Sequence, residues 1–164
     1  MRQVTITIKY AEVTKDVALS AYVIADANGQ SEHQKHNLAD ITQDENKARV
    51  NRIIDIAFLE ARQILLSAAK TPITMTEADN SLPQVDGEKT IVLNLPDTLP
   101  QESADLITPY VHEYIVWKTL LWWCNLVFPA ASQTCLQNID NAEKQIRSAI
   151  TRRMGHTTRP LSPF

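Results

Sequence analysis

The segment from residue 110 to 128 constrains the fold more than any other part of the chain. It contains His112, Glu113, Lys118 and Asn125, although a membrane-spanning helix needs about 20 largely apolar residues. A helix that is apolar all round lies at the centre of its domain or against another chain. We therefore predict a central helix and no membrane span. The apolar positions that nearly encircle this helix are Tyr110, Val111, Tyr114, Ile115, Trp117, Leu120, Leu121, Trp122, Trp123, Leu126 and Val127.

All 3 tryptophans of the chain, Trp117, Trp122 and Trp123, lie within this segment. Steps of about 100° per residue place Trp122 and Trp123 about 140° and 120° from Trp117, so one side of a helix cannot cover all three. As core residues, they would form the centre of a helical bundle. Aromatic residues at this density are also typical of binding hot spots. We predict that these tryptophans contribute to a subunit interface, and the core interpretation stays open.

Two short segments show the alternation of a β-strand, and four longer segments show helical spacing. The strands are predicted at residues 4–8 and 90–95, and we expect them to pair with each other or with a neighbouring subunit, because two isolated strands are rarely stable. The segments 30–41 and 71–88 are predicted as a polar loop and a surface connection. The first helix is predicted over 11–25, with a left-handed stop at Asn28-Gly29. The second is predicted from a Thr42 cap, with Glu45 at the capping-box position, to about residue 68. The third is predicted from a start or kink at Pro109 to Pro129, and the fourth from a Ser132 cap to Gly155.

These elements predict one α+β domain over residues 1–153, a helical bundle of about four helices with a small two-stranded sheet, followed by an extended tail over 154–164. The whole chain has 16 basic and 19 acidic residues. Five basic residues and no acidic ones lie after residue 143, so residues 1–143 carry 11 basic and 19 acidic residues. An acidic body of this kind argues against specific nucleic-acid recognition. The tail residues predicted to contact a neighbouring protein are Arg152, Arg153, Arg159, Leu161 and Phe164.

No set of residues predicts an enzyme, a cofactor or a metal site. His33 and His36 are three residues apart in a polar segment, without a third ligand at a suitable spacing. His112 and Glu113 are adjacent, and adjacent residues of a helix do not face each other. Cys124 and Cys135 are predicted as small buried residues rather than as nucleophiles. The alternating N-terminus does not resemble a signal peptide, so the cytoplasm, or a particle assembled there, is the expected location.

The order of elements resembles that of a known group of viral proteins. A short strand at residues 4–8 leads into a helix, and residues 38–54 lead into a longer one. An aromatic helix over 114–123 is followed by a helix that ends at residues 146–153 and by a tail with two prolines. This layout is similar to that of small structural proteins of tailed bacteriophages and prophages, and in outline to the head–tail connector proteins (head-completion or adaptor proteins).

The resemblance implies a structural protein of the virion that joins the portal of the head to the tail. Such a protein would form a homo-oligomeric ring in the neck and contact the portal or other neck and tail proteins. It would be assembled in the host cytoplasm and would need no cofactor. The alternative interpretation is a small non-enzymatic regulatory or protein-interaction domain that forms no ring.

Overall fold

The structure of the protein is a computed structural model, which describes residues 2–69 and 87–152. The described part is mostly helical with one two-stranded sheet, which confirms the α+β prediction, but it contains five α-helices where about four were predicted. Two short 3-10 turns, Asp40–Thr42 and Pro129–Ala131, precede α3 and α5. The elements in chain order are β1 (Arg2–Lys9), α1 (Tyr10–Ala27), α2 (Glu32–Ala39), α3 (Asp44–Ala69), β2 (Glu88–Leu95), α4 (Gln101–Val127) and α5 (Ser132–Thr151).

The helix that sequence patterns missed is α2, which lies in the segment predicted as a loop. Ser31 and Gln34 form a capping box, in which the Gln34 backbone N–H donates to Ser31 Oγ and the Ser31 backbone N–H donates to Gln34 Oε1 at 3.1 Å. The helix has no apolar stripe, and Leu38 is its buried apolar side chain. Its signal is therefore the Ser-x-x-Gln spacing rather than hydrophobic periodicity.

The two strands pair with each other in an antiparallel sheet, which confirms the predicted partnership. Ile6 lies opposite Ile91, and Val4 lies opposite Leu93. Ile6, Ile91 and Leu93 are buried, whereas the intervening Thr5 is exposed. The sheet therefore covers the core with one face, as the alternation in the sequence requires.

The structure decides two details of the predicted helix starts. The helix α4 begins at Gln101, which excludes the predicted alternative of a start at Pro109, so Pro109 lies in its interior and supplies no N–H to the carbonyl of Asp105. The helix α5 does begin at Ser132, but Ser132 does not cap it; its hydroxyl donates to Asn125 Oδ1 at 2.6 Å. By contrast, Gly29 has φ +66°, as predicted for the left-handed residue after α1.

The helix α4 lies at the centre of the fold, as its apolar composition predicts. It packs against α5, α3 and α1 and also contacts β1. Ile107, Val111 and Ile115 lie on its inward face, and Leu120 is buried on another side of the helix; none of the four is exposed to solvent. Within the described ranges, no helix has the length and apolarity needed to cross a membrane.

Candidate functional site

The three tryptophans of α4 occupy three different environments. Trp123 lies inside the single chain, is 7% exposed, and donates its indole N–H to the backbone carbonyl of Leu38 at 2.8 Å. This hydrogen bond ties α4 to the end of α2. Because Trp123 is already covered by its own chain, Trp117 and Trp122 are the tryptophans with surface left for a partner.

Trp122 is half-buried at the contact between α4 and α3. Its ring is tilted by 39° from that of Trp123, with 6.4 Å between the ring centroids. The guanidinium carbon of Arg49 lies 5.3 Å from the centroid of the Trp122 ring, which is a cation–π contact. The Trp122 ring therefore contributes to the contact between α3 and α4.

Trp117 belongs to the outer face of α4, which combines apolar and acidic side chains. At 100° per residue, six residues fall within an arc of about 100°, and over 15 residue steps of 1.5 Å they extend about 22 Å along the helix. Leu106 is 40% exposed, and Glu102, Pro109 and Glu113 are also exposed, while Tyr110 and Trp117 are half-buried. We call this face the α4 outer stripe; it consists of Glu102, Leu106, Pro109, Tyr110, Glu113 and Trp117.

The predicted docking residues of the C-terminus fall largely beyond the described part of the chain. Arg152 is exposed directly after α5, and its backbone N–H donates to the carbonyl of Ser148 at 3.1 Å. Arg153, Arg159, Leu161 and Phe164 lie outside the described residues, as do the predicted tail over 154–164 and most of the predicted connection over 71–88. The role assigned to these residues stays a prediction.

The histidines considered at the sequence level do not assemble into a site. His33 and His36 are exposed on α2, and the described residues contain no group of three or more side chains arranged to hold a metal ion. His112 Nε2 lies 2.8 Å from Asp16 Oδ2, which links α4 to α1. Glu113 lies on another side of α4, where Trp117 donates to it at 3.4 Å. His112 and Glu113 thus do not act as a pair.

Cys124 and Cys135 are buried free thiols, as predicted for small interior residues. They lie on either side of the turn between α4 and α5. A hydrogen bond with Cys135 and burial together raise the pKa of the Cys124 thiol. A thiol held in its protonated form is a poor nucleophile. The same hydrogen bond lowers the pKa of Cys135, but neither side chain is exposed to solvent, so we assign both to the packing of α4 against α5.

Two carboxylates of α3 bind tyrosine and lysine side chains, an arrangement that sequence analysis missed. Asp55 accepts from the Tyr10 hydroxyl and lies 2.7 Å from the Lys89 ammonium, which joins α3 to α1 and β2. Asp55 and the second carboxylate, Glu60, both lie in a helix that has an apolar stripe. Nothing in the local sequence indicates their partners, which are distant along the chain.

The second carboxylate, Glu60, repeats this arrangement five residues further along α3. It accepts from the Tyr114 hydroxyl at 3.2 Å and lies 2.8 Å from the Lys118 ammonium, both on α4. Burial and the negative charge of Glu60 raise the pKa of Tyr114, and burial and Asp55 raise that of Tyr10. Both tyrosines keep their protons, and both carboxylates are already paired with lysines. We therefore interpret these groups as links between helices rather than as a catalytic base.

No known protein family matches this chain, and neither a curated protein nor a solved structure is significantly similar to it. Its own surfaces are thus the basis for proposing a function. Among them, the α4 outer stripe stands out, because it places large apolar side chains and carboxylates together on the exposed side of the most central helix.

Proposed function

We propose that this chain is a non-enzymatic structural protein of a tailed phage or prophage, which works by assembly in the neck between the portal and the tail. The α4 outer stripe is the observation that carries the assembly role. Its Leu106 is 40% exposed, and Tyr110 and Trp117 lie beside it with part of their rings accessible. Aromatic side chains of this kind supply much of the binding energy at protein interfaces.

The other polar clusters support an assembly role because their bonds are directed inward. Asp55, Glu60 and their lysine partners join helices of one chain. The bond between His112 and Asp16 likewise joins α4 to α1. The α4 outer stripe is one of the apolar surfaces that remain for external contacts, and it also carries carboxylates.

The location in the neck rests on the resemblance of element order to connector proteins. In this proposal, copies of the body pack side by side in a ring, and the basic tail with Arg159, Leu161 and Phe164 docks on a neighbouring neck or portal protein. A segment that becomes ordered on binding makes attachment depend on the correct partner. The alternative is a protein-interaction domain that uses the same stripe without forming part of a particle.

The position of the chain in purified particles distinguishes these two roles. Particles from the phage or induced prophage that encodes the chain are purified, their proteins are identified by mass spectrometry, and the chain is located by immunogold electron microscopy. We expect a fixed number of copies per particle, with gold at the head–tail junction. A chain that is absent from particles yet co-purifies with a cellular protein would support the interaction domain and contradict the neck.

Complementation with variants tests whether the α4 outer stripe is the surface that contacts other proteins during assembly. Leu106→Glu places a charge on the stripe, and we expect unjoined heads and tails in electron micrographs. Leu136→Glu is the matched control, because Leu136 is 49% exposed on α5, away from the stripe. Normal particles from Leu106→Glu, with a wild-type melting temperature for both variants, would exclude the stripe from assembly.

A further inference from the structure

An apolar groove with a basic rim lies along α1, beside the turn that precedes α3 and the first part of α3. Its volume is ≈ 440 Å³, which gives room for more than one large side chain. Ala18, Leu19 and Tyr22 supply apolar surface, and Leu19 and Tyr22 are 57% and 41% exposed. Lys15 and Lys47 also line the groove. None of the described residues that line it carries a carboxylate.

The charge of this groove is unusual for the chain, because its two lysines have no acidic partner. Seven lysines lie in the described ranges. Five of them, all outside the groove, form ion pairs with carboxylates: Lys9, Lys35, Lys89, Lys118 and Lys144. In the same part of the chain, Lys15 and Lys47 form no ion pair.

The acidic residues next to Lys15 on α1 are already engaged elsewhere. Glu12, one turn before Lys15, lies 3.2 Å from the Lys9 ammonium. Asp16, the next residue, lies 2.8 Å from His112. On α3, Asp44 lies one turn before Lys47 but forms no ion pair with it. The two lysines therefore place positive charge beside apolar surface, and a ligand that suits the groove has apolar side chains flanked by carboxylates.

The α4 outer stripe of the same chain has that composition. Leu106, Tyr110 and Trp117 are its large apolar members, and Glu102 and Glu113 are exposed beside them. The stripe carries no basic residue. Groove and stripe are thus complementary both in charge and in apolar character.

The two surfaces lie on different sides of the molecule, so one chain cannot join its own groove to its own stripe. Around α1, Ala18 and Asp16 lie about 100° to either side of the buried Val17. Ala18 lines the groove, whereas Asp16 contacts α4 through His112. The stripe lies on the side of α4 that faces away from the core. Contact between these surfaces must therefore join two copies of the chain.

We propose that the α4 outer stripe of one copy docks in the α1 groove of the next copy, with Glu102 and Glu113 facing Lys15 and Lys47. This inference rests on the assembly role proposed above and specifies the contact between copies. Because two different surfaces meet, the contact is heterologous, and repetition produces a closed ring or an open filament rather than a two-fold dimer.

Charge reversal on each surface provides the test. The groove variant carries Lys15→Glu and Lys47→Glu, and the stripe variant carries Glu102→Lys and Glu113→Lys. The control for the groove variant carries Lys144→Glu and Arg147→Glu, which makes the same change in net charge at two exposed basic residues of α5, a helix that does not line the groove. Self-association of each protein, and of a 1:1 mixture of the two variants, is measured by sedimentation velocity and native mass spectrometry.

We expect the wild type and the control to self-associate, and each variant alone to associate at least about tenfold more weakly, because like charges then face each other. The mixture should regain association, because each copy then finds an opposite charge at both of its surfaces. Circular dichroism melting curves establish that each variant is folded. A groove variant that fails to fold is replaced by Lys15→Gln with Lys47→Gln, which removes the charge without reversing it.

Association of both variants at the wild-type level would overturn the docking contact, and so would a wild type that stays monomeric at every concentration. Loss in the variants without recovery in the mixture would also contradict it. The proposed function is decided separately by whether the chain occurs in particles. If particles contain the chain but both variants associate normally, the neck role is retained and this contact is contradicted. If particles lack the chain but the mixture regains association, this contact is retained and the neck role is contradicted.

Discussion

The helices α2 and α4 are stabilised in opposite ways. The eight-residue α2 has a capping box at its start and buries the apolar side chain of Leu38. Its Lys35 lies 2.6 Å from Asp26 and 2.9 Å from Glu32, and hydrogen bonds to these two carboxylates raise the pKa of Lys35. The 27-residue α4, by contrast, has no side-chain cap, contains Pro109, and buries residues along most of its length.

This difference shows that, within one small fold, local interactions stabilise α2 and tertiary packing stabilises α4. Where a helix has little apolar surface to bury, caps and short-range ion pairs decide whether it forms. Where a helix is central, packing on several sides offsets both a missing cap and an internal proline. The Trp123 indole, which donates to the Leu38 carbonyl, is the point where the two kinds of helix meet.

The largest expected effect comes from removing the side chain at that meeting point. Trp123→Ala should lower the free energy of unfolding by about 3–5 kcal/mol, the range for large buried aromatic residues. It also leaves the Leu38 carbonyl without its indole donor. Trp117→Ala is the comparison on the α4 outer stripe and should cost less, about 1–2 kcal/mol, because Trp117 is half-buried.

Urea denaturation of both variants measures this difference. Equal losses would mean that Trp123 is not part of the core or that Trp117 is. Because Trp122 is half-buried and lies against Arg49, we expect its removal to have an effect between those of the other two tryptophans.

A smaller effect is expected from Tyr114→Phe, which removes a polar tie between α4 and α3. The lost hydrogen bond to the Glu60 carboxylate should cost about 1.5 kcal/mol, at the low end for a charged partner because Glu60 keeps Lys118. Burial and Glu60 raise the pKa of Tyr114 above its ordinary value of about 10. The folded state thus holds a proton that the unfolded state loses.

The sign of the pH dependence follows from this difference in bound protons. The contribution of Tyr114 is fully present below pH about 10 and decreases as the pH rises above that value. The variant should therefore lose less stability than the wild type on going from neutral to strongly alkaline pH. Parallel alkaline decreases for the two proteins, measured by urea unfolding at each pH, would contradict a raised pKa at Tyr114.

The next effect tests whether α2 depends on its cap. Ser31→Ala removes the hydroxyl that accepts from the Gln34 N–H and should destabilise α2 by about 1 kcal/mol. Faster amide exchange should be confined to α2, with exchange in α4 unchanged. Ser132→Ala is the control, since Ser132 begins α5 without capping it. An equal effect of both substitutions on their helices would remove the distinction between the two helix starts.

The smallest expected effect is a gain in stability within α4. Thr119 is fully buried, and its hydroxyl has no hydrogen-bond partner in the part of the chain that the structure describes. Thr119→Val replaces this hydroxyl with a methyl group of similar shape and should stabilise the protein by up to about 1 kcal/mol. A loss of stability in thermal unfolding would show that the hydroxyl has a partner after all.

Sequence patterns predicted the elements whose buried face repeats with a clear period. Val4, Ile6 and Ile8 predicted β1, and the apolar stripe from Val50 predicted α3. The same reasoning missed α2, whose start is marked by Ser31 and Gln34 instead. It also left open whether α4 starts or kinks at Pro109, because the helix-breaking tendency of proline can be read from the sequence whereas the packing that a central helix gains cannot.

The candidate site was predictable only in part. Trp117, Trp122 and Trp123 were found as a group, since no single side of a helix can hold them, but their sequence spacing could not tell which one the chain itself covers. The groove beside Lys15 and Lys47 had no sequence signal, because 31 positions separate these lysines and their closeness depends on how α1 meets α3.

The sequence by itself determined the properties that depend on near neighbours: the strand alternation, the capping box at Ser31, the left-handed Gly29, and the apolar circumference of α4. These follow from backbone geometry and from the spacing of side chains within a few residues. The tertiary structure alone decided that Trp123 is buried, that Asp55 and Glu60 bind tyrosine and lysine, and that the groove and the stripe face different directions. Such features depend on which helices meet and at what angle, and that is set by packing over the whole core.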